Sequence, residues 1–281
     1  MPAASRSTTH LYYRHSGRIG VLGLLLMPTI SVATAACLGV VYGYGLYYIP
    51  SIYLSVVLCA LFGGAVGYTV GFGAIAGKVR NAWVVAAFGF AAGVFAEYAG
   101  WVSWIHAVTG GQTSLDPLAV WRVATKVAET GAWSIFGWTL TGWALYGVWS
   151  LEAALIIGMS TLAAAGQGLS VPYCEKCDCW TAKHGAKLAR LAEAADPSDL
   201  RLQLEQGNTS ALKDLGKAMI AASAYTALEL HTCPKCRQLN VLTVNAMTVT
   251  KDDKGEESHS AAAIVDGLLL DSTALAAVRA L

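Results

Sequence analysis

Four long apolar stretches dominate the first 170 residues of the chain. No Asp, Glu, Lys, Arg or His lies between Arg18 and Lys78. This interval holds two bilayer spans, because one span needs about 20 apolar residues. Proline and tyrosines interrupt it at 47–51, where one helix should end and the next begin. Two further apolar stretches follow at 82–104 and 142–166. The pattern predicts four transmembrane helices.

A shorter helix is predicted near 116–130, on the external side between the third and fourth spans. Asp116 suits the N-cap, Pro117 the first helical position and Gly131 the position after the helix. An apolar face at helical spacing could lie on the bilayer surface or against the bundle; it is formed by Leu118, Trp121, Ala124 and Ala128. Tryptophans near this boundary are more typical of an aromatic belt than of a ligand cage: Trp101, Trp104, Trp121, Trp133, Trp138 and Trp143.

Composition supports a bilayer location for these stretches. The chain is 55% hydrophobic and only 13% charged, and its mean hydropathy is +0.50, more apolar than a soluble domain needs. The formal net charge of +1 gives no indication of a nucleic-acid partner.

The distribution of basic residues predicts the orientation of the spans. Short loops rich in Lys and Arg remain in the cytoplasm. The N-terminal arm and the loop after the second span contain Arg6, Arg14, Arg18, Lys78 and Arg80, whereas the loop after the third span has only Arg122 and Lys126 as basic residues. We therefore predict a bacterial inner-membrane protein with a cytoplasmic arm at 1–18, a membrane domain at 19–166 and a cytoplasmic domain at 167–281. The alternative is a cleavable signal peptide ending near 33–35, but the apolar run continues to Tyr47.

Two CxxC motifs are the strongest chemical signal in the chain. Cys174 and Cys177 form the first, and Cys233 and Cys236 the second. Two such pairs supply the four thiolates of a closed tetrahedral site, which leaves no open position for substrate. The spacing predicts structural zinc. A disulfide pair is disfavoured in a reducing cytoplasm, a redox CxxC lacks its βαβ context, and iron is a minor alternative. Residues near these motifs that could replace one cysteine are Cys179, His184 and His231.

The segment between the two motifs is longer than the 15–20 residues of a compact zinc ribbon. Helices predicted at 185–195, at 199–206 with Ser198 as the cap, and at 210–222 account for the extra length. Strands predicted at 240–244 and 247–250 would extend the ribbon hairpin, with an exposed turn at 251–258. The fold class is thus an α-helical polytopic membrane protein with four transmembrane helices and a small α+β zinc-ribbon-like cytoplasmic domain.

Small and ionisable residues inside the spans carry the remaining signals. Gly63, Gly67 and Gly71 recur every four residues, which allows close helix packing, within one chain more readily than between copies. Glu97 continues a similar glycine stripe in the third span, and Glu152 lies in the fourth. Intramembrane carboxylates are costly, so they form either a cation or proton relay or buried, protonated hydrogen-bonding groups.

Five short segments together resemble a family of bacterial multi-pass membrane proteins with a cytoplasmic zinc-ribbon-like domain. They are Arg14-His15-Ser16-Gly17-Arg18, Tyr48-Ile49-Pro50, Gly77-Lys78-Val79-Arg80-Asn81, Trp149-Ser150-Leu151-Glu152-Ala153 and Tyr173-Cys174-Glu175-Lys176-Cys177. The resemblance covers most of 11–180 and implies the architecture, but no activity.

No nucleophile elbow, phosphate-binding loop or metalloprotease motif occurs in the sequence. An enzyme is therefore not expected. The sequence favours a membrane-anchored interaction or scaffold protein whose zinc-stabilised domain binds a cytoplasmic or membrane protein partner, and a homo-oligomer is a further expectation. The alternative is a small channel or transporter that uses Glu97 or Glu152. A nucleic-acid role comes third, because 169–281 has no basic stripe.

Overall fold

The computed structural model describes residues 11–49, 52–132, 134–135, 138–184, 190–219, 222–251 and 256–281. The chain divides into two compact units. The helical unit comprises Ser16–Ser170. The sheet unit comprises Val171–Leu281 together with the N-terminal segment that ends at His15, of which residues 11–15 are described.

Four helices of the helical unit are long and apolar enough to cross a membrane. They are α1 (Val21–Tyr48), α2 (Ile52–Ala76), α3 (Ala82–Val108) and α5 (Gly142–Leu169). Their lengths of 25 to 28 residues exceed the roughly 20 that a bilayer core requires. The prediction of four such helices is confirmed. The predicted break is consistent with α1 ending at Tyr48 and α2 beginning at Ile52, although Pro50 and Ser51 themselves lie outside the described residues.

Large apolar side chains cover the outer surface of these helices, as expected where lipid replaces water. Many have more than half of their surface exposed, a pattern that a water-soluble bundle would avoid: Leu22, Leu25, Val41, Leu61, Leu151 and Leu162. Length, composition and outer surface are together those of a membrane protein.

Glycines allow the backbones of these helices to approach closely. A Cβ atom added at Gly63 would lie 2.4 Å from the Ile156 carbonyl oxygen, and one added at Gly67 would lie 2.1 Å from that of Ser160. The stripe on α2 therefore packs against α5 of the same chain, as predicted. The Ser160 hydroxyl, which is buried, donates a hydrogen bond to the Gly89 carbonyl at 2.8 Å and joins α5 to α3. α1 also packs against α2 and α3.

The predicted helix between the third and fourth spans is α4 (Pro117–Thr130). The Asp116 carboxylate caps it by accepting from the Leu118 N–H at 3.0 Å, and Gly131 follows it with a positive φ of 88°. Only part of the predicted apolar face is buried. Ala124 and Ala128 are buried together with Val120, whereas Leu118 and Trp121 are exposed. A short hairpin follows α4, and its two strands, β1 (Ser134–Ile135) and β2 (Trp138–Thr139), have two residues each.

The sheet unit contains a short hairpin and a four-stranded antiparallel sheet. The hairpin pairs β3 (Tyr173–Cys174) with β4 (Cys179–Trp180). The sheet has the order β5-β6-β7-β8, and its strands are Ala182–His184, Ala224–Thr232, Asn240–Lys251 and Glu257–Leu269. Two predicted strands after the second CxxC are thus one continuous strand, β7. The sequence analysis did not predict β6, β8 or the C-terminal helix α8 (Ser272–Arg279).

The segment between the two CxxC motifs is less helical than predicted. Leu191 exchanges two 2.9 Å backbone hydrogen bonds with Thr226, so the described end of the predicted 185–195 helix is extended; 185–189 lie outside the described residues. Helix α6 spans Pro197–Glu205, and its cap is Asp196 instead of Ser198. Helix α7 ends at Asp214 (Ser210–Asp214) and not near residue 222, because Gly216 then adopts a φ of 68°.

The N-terminal segment belongs to the sheet unit, although the sequence suggested a separate arm at 1–18. The Leu269 N–H donates to the Leu11 carbonyl at 2.8 Å, and the Tyr13 N–H donates to the Gly267 carbonyl at the same distance. This segment therefore lies along the C-terminal end of β8. The helical unit extends to Ser170, beyond the predicted boundary at 166.

Candidate functional sites

The first CxxC motif lies in the tight turn of the β3–β4 hairpin. Cys174 pairs with Cys179 across the hairpin, and the Cys177 N–H donates to the Cys174 carbonyl at 3.2 Å. The turn closes at Asp178, which adopts a positive φ of 51°. This conformation, uncommon for a residue other than glycine, reverses the chain so that both thiols face the same side.

The second CxxC motif lies in the turn between β6 and β7. The Cys233 N–H donates to the Leu239 carbonyl at 2.9 Å, and the Arg237 N–H donates back to the Cys233 carbonyl at 3.1 Å. Arg237 has a φ of 55° and occupies the position equivalent to Asp178 in the first turn. The two turns thus share a left-handed residue directly after the second cysteine.

The two turns bring four sulfur atoms together. The Sγ atoms of Cys174, Cys177, Cys233 and Cys236 all lie within 4.8 Å of one another, as a metal site requires. Each turn also contributes a lysine that reaches the other turn: the Lys176 ammonium donates to the Gln238 side chain at 2.9 Å, and the Lys235 ammonium donates to the Cys177 carbonyl at 3.2 Å. Among the described residues, the four predicted cysteines are therefore the set that could hold a metal ion.

Backbone hydrogen bonds favour the thiolate form in the second turn. Burial raises the pKa of the Cys233 thiol, but the N–H groups of Cys236 and Lys235 outweigh this effect and lower the pKa to about 6. The Gln238 N–H likewise lowers the pKa of Cys236. In contrast, the hydrogen bond with Cys236 raises the pKa of Cys177 to about 12. The thiols do not ionise together without a cation, so metal binding would release protons.

The three alternative ligands are less suited to the site. Cys179 Sγ lies 3.8 Å from Cys233 Sγ, but it does not belong to the set of four mutually close sulfurs. Both ring nitrogens of His231 contact other groups, Nε2 the Glu229 carboxylate at 2.8 Å and Nδ1 the Thr181 hydroxyl at 3.5 Å. The side chain of His184 lies outside the described residues.

A second candidate site lies inside the helical unit, where Glu97 and Glu152 line the same small cavity of about 30 Å³. One Glu97 oxygen accepts from the Trp101 indole at 3.0 Å, and the other is buried without a hydrogen-bond partner among the described residues. Glu152 accepts a hydrogen bond from the Tyr42 hydroxyl. Tyr42 also contacts the Cys59 sulfur at 3.3 Å, so side chains from all four long helices meet here.

Sequence analysis identified both carboxylates but not the aromatic residues around them. Tyr42, Trp101, Trp104 and Trp149 line the cavity. Trp101 and Trp104 were assigned to an aromatic belt, and Tyr42 and Trp149 were not singled out. The signal for Tyr42 was a hydroxyl in the middle of an apolar stretch, which requires a partner in lipid. Of the other predicted belt residues, Trp121 and Trp143 are exposed; the side chains of Trp133 and Trp138 lie outside the described residues.

Comparison of the chain with protein-family models, with curated proteins and with solved structures finds no match. The candidate functions therefore rest on the two sites themselves.

Proposed function

We propose that the helical unit binds a cation and moves it, or a proton, through the bilayer at Glu97 and Glu152. The observation that supports this function is the convergence of both carboxylates on one cavity. The sequence alone ranks an interaction protein first and a small channel or transporter second. The shared cavity of the two carboxylates supports the opposite order.

The free-energy cost of placing these carboxylates in a bilayer supports a functional role for them. An ionisable residue in a transmembrane helix costs several kcal/mol unless it is paired or lines a polar cavity. Helix packing alone does not require these carboxylates, because glycines already allow the helices to approach closely. The unpartnered Glu97 oxygen is a further indication, because a purely structural carboxyl group would have its hydrogen bonds satisfied.

The test is cation and proton flux into proteoliposomes under an imposed gradient. Glu97→Gln and Glu152→Gln should each abolish flux, because an amide keeps the shape of the side chain but not its charge. Glu129→Gln is the matched control, since Glu129 is exposed on α4, where it pairs with Lys126 at 3.1 Å. Absence of flux in the wild-type protein under every gradient would reject the transport function.

The metal site would then be structural, and we propose that it binds zinc. Four sulfurs around zinc at about 2.3 Å would lie roughly 3.8 Å apart in a tetrahedron, the distance found between Cys174 and Cys236. Four thiolates around Zn²⁺ leave a net charge of about −2, which Lys176 and Lys235 are placed to offset. This chemistry fits a cytoplasmic location with reduced thiols.

We propose the bacterial inner membrane, with both termini in the cytoplasm, from the distribution of basic residues. The pairing of Leu11 with Leu269 supports an even number of spans, because it requires both ends of the helical unit to emerge on one side. A reporter fused after Leu281 should be active in the cytoplasm. Activity only outside the membrane would reverse the orientation and remove the argument for reduced thiols.

A second candidate function is binding of a protein partner by the sheet unit. The observation that favours it is the first half of β8, Glu257–Ala263, in which seven consecutive residues are exposed on the last strand of the sheet. Affinity purification in detergent should recover a stoichiometric partner. Ala262→Arg should remove this partner, whereas Ala277→Arg on the exposed side of α8 should retain it. Recovery of a bare homo-oligomer would argue against this function.

A further inference from the structure

We propose that the acidic cavity and an adjoining apolar groove form one binding site for an alkylammonium ion, a protonated primary amine with an apolar chain. The ammonium group would bind Glu97 and Glu152, and the chain would lie in the groove. This inference rests on the proposed function, since the same carboxylates hold the cation, and it names the chemical class of that cation.

The size of the cavity selects the head group. Its volume is about 30 Å³, whereas a single water needs roughly 10–15 Å³. An ammonium group is close to water in size and therefore fits, while a trimethylammonium group does not. Its three N–H donors match the unpartnered Glu97 oxygen and the Glu152 carboxylate.

The cavity walls favour an organic ammonium over a divalent metal cation. The walls include the aromatic rings of Tyr42, Trp101, Trp104 and Trp149, and such rings attract ammonium ions through their electron-rich faces. Divalent cations such as Ca²⁺ instead take six to eight oxygen ligands. The described walls offer two carboxylates and one phenol, too few oxygens for such a shell.

The groove lies beside the cavity, between α3, α4 and α5. Its volume is about 320 Å³, roughly twice that of a cavity of about 150 Å³ that binds benzene. Its lining contains no charged residue, and its floor is formed mainly by small or aliphatic residues: Val120, Ala124 and Ala153. A hydrocarbon chain is the occupant that this lining suits.

The cavity and the groove share a wall. Trp101 and Trp149 line both of them, and their rings meet edge to face with centroids 4.8 Å apart. The cavity and the groove therefore meet at these two side chains. A molecule with a charged end and an apolar end can occupy both spaces, which neither a metal ion nor a neutral lipid chain can do.

The experiment measures equilibrium binding of radiolabelled decylamine to the full-length protein in nanodiscs at pH 7. Saturable binding of about one molecule per chain is expected. Competition by decanol, which lacks the charge, or by decyltrimethylammonium, whose head is too large, should be at least tenfold weaker than by unlabelled decylamine. Competition by decanol or by decyltrimethylammonium that equals competition by unlabelled decylamine would overturn the inference, because it would show partition into lipid or a site without head-group selection.

Variants test each end of the site separately. Glu97→Gln should weaken decylamine binding tenfold or more, and Glu129→Gln should not. Ala153→Phe fills the groove and should weaken decylamine binding but leave ethylamine binding unchanged, whereas Ala154→Phe, on the exposed side of α5, should affect neither. If Glu97→Gln fails to fold, the Ala153 and Ala154 pair and the competitor series still decide the result. Unchanged decylamine binding in Ala153→Phe would overturn the groove assignment.

Flux and binding together separate this inference from the function on which it rests. Inorganic cation or proton flux that Glu97→Gln abolishes, without decylamine binding, would overturn the alkylammonium site and leave the proposed function intact. Absence of both flux and binding would overturn both.

Discussion

Gly67→Ala should destabilise the helical unit, whereas Gly64→Ala, less than one turn earlier on the same helix, should not. The two substitutions add the same methyl group to α2. At Gly67 that methyl carbon would lie 2.1 Å from the Ser160 carbonyl oxygen of α5, and at Gly64 it would have nothing within 4 Å. The pair therefore isolates helix packing from intrinsic helix preference.

The expected loss of stability in Gly67→Ala follows from the gap that must open between α2 and α5. Ordinary contact begins at 3.4 Å, so α2 and α5 must separate by about 1.3 Å at this point. A separation of this size removes a large part of the van der Waals attraction between the neighbouring residues of α2 and α5, including that at Gly63. Overpacking typically lowers the free energy of unfolding by about 1–3 kcal/mol. At Gly64, by contrast, alanine should contribute about 0.5–1 kcal/mol through its better helix propensity.

Unfolding by SDS in mixed micelles, followed by circular dichroism, measures the difference. We expect the transition of Gly67→Ala at a lower SDS fraction than that of the wild type, and the transition of Gly64→Ala at the same or a higher fraction. Coincident transitions for the two variants would refute the packing of α2 against α5 through this glycine stripe.

Three further predictions concern the sheet unit. Cys236→Ser should release the metal and make the unit protease-sensitive, whereas Cys179→Ser should do neither. Because ligation needs thiolates, elemental analysis should also show that the metal is lost as the pH falls. Asp196→Ala should cost about 1 kcal/mol in thermal unfolding through loss of the α6 cap, and an equal cost for Ser198→Ala would contradict the cap assignment. Tyr13→Phe should cost about 0.5–1.5 kcal/mol in the same assay, because its hydroxyl accepts a 2.8 Å hydrogen bond from a backbone N–H of the β3–β4 hairpin; an unchanged transition would contradict that contact.

The helical unit was predictable because its signals are local. A long apolar stretch in the sequence is itself the evidence for a span, and Asp116, Pro117 and Gly131 mark the ends of α4 by their own conformational preferences. The cluster of four cysteines was predictable for a related reason, since each pair is fixed by a short turn. Their approach to one another across more than 50 residues followed from chemistry alone, because isolated pairs could not complete the site.

The errors arose where distant contacts override local preference. Residues near Leu191 have helical propensity, but Leu191 is extended because it pairs with Thr226 and fills the core of the sheet unit. Ser198 and Asp196 are both suitable caps, and the fold selects the one that precedes Pro197. The convergence of Glu97 and Glu152 depends on the rotation of two helices about their axes, which no periodic pattern specifies.

The strand pairing near Leu11 has a consequence for how the protein is made. The ribosome synthesises this segment before the helical unit, and its partner near Leu269 only after the helical unit. While α1, α2, α3 and α5 enter the bilayer, the N-terminal segment remains on one face of the membrane without its partner strand, because that strand has not yet been synthesised. A chain that stalls or is cleaved before β8 would leave both ends without partners, exposing apolar residues that quality-control proteases recognise.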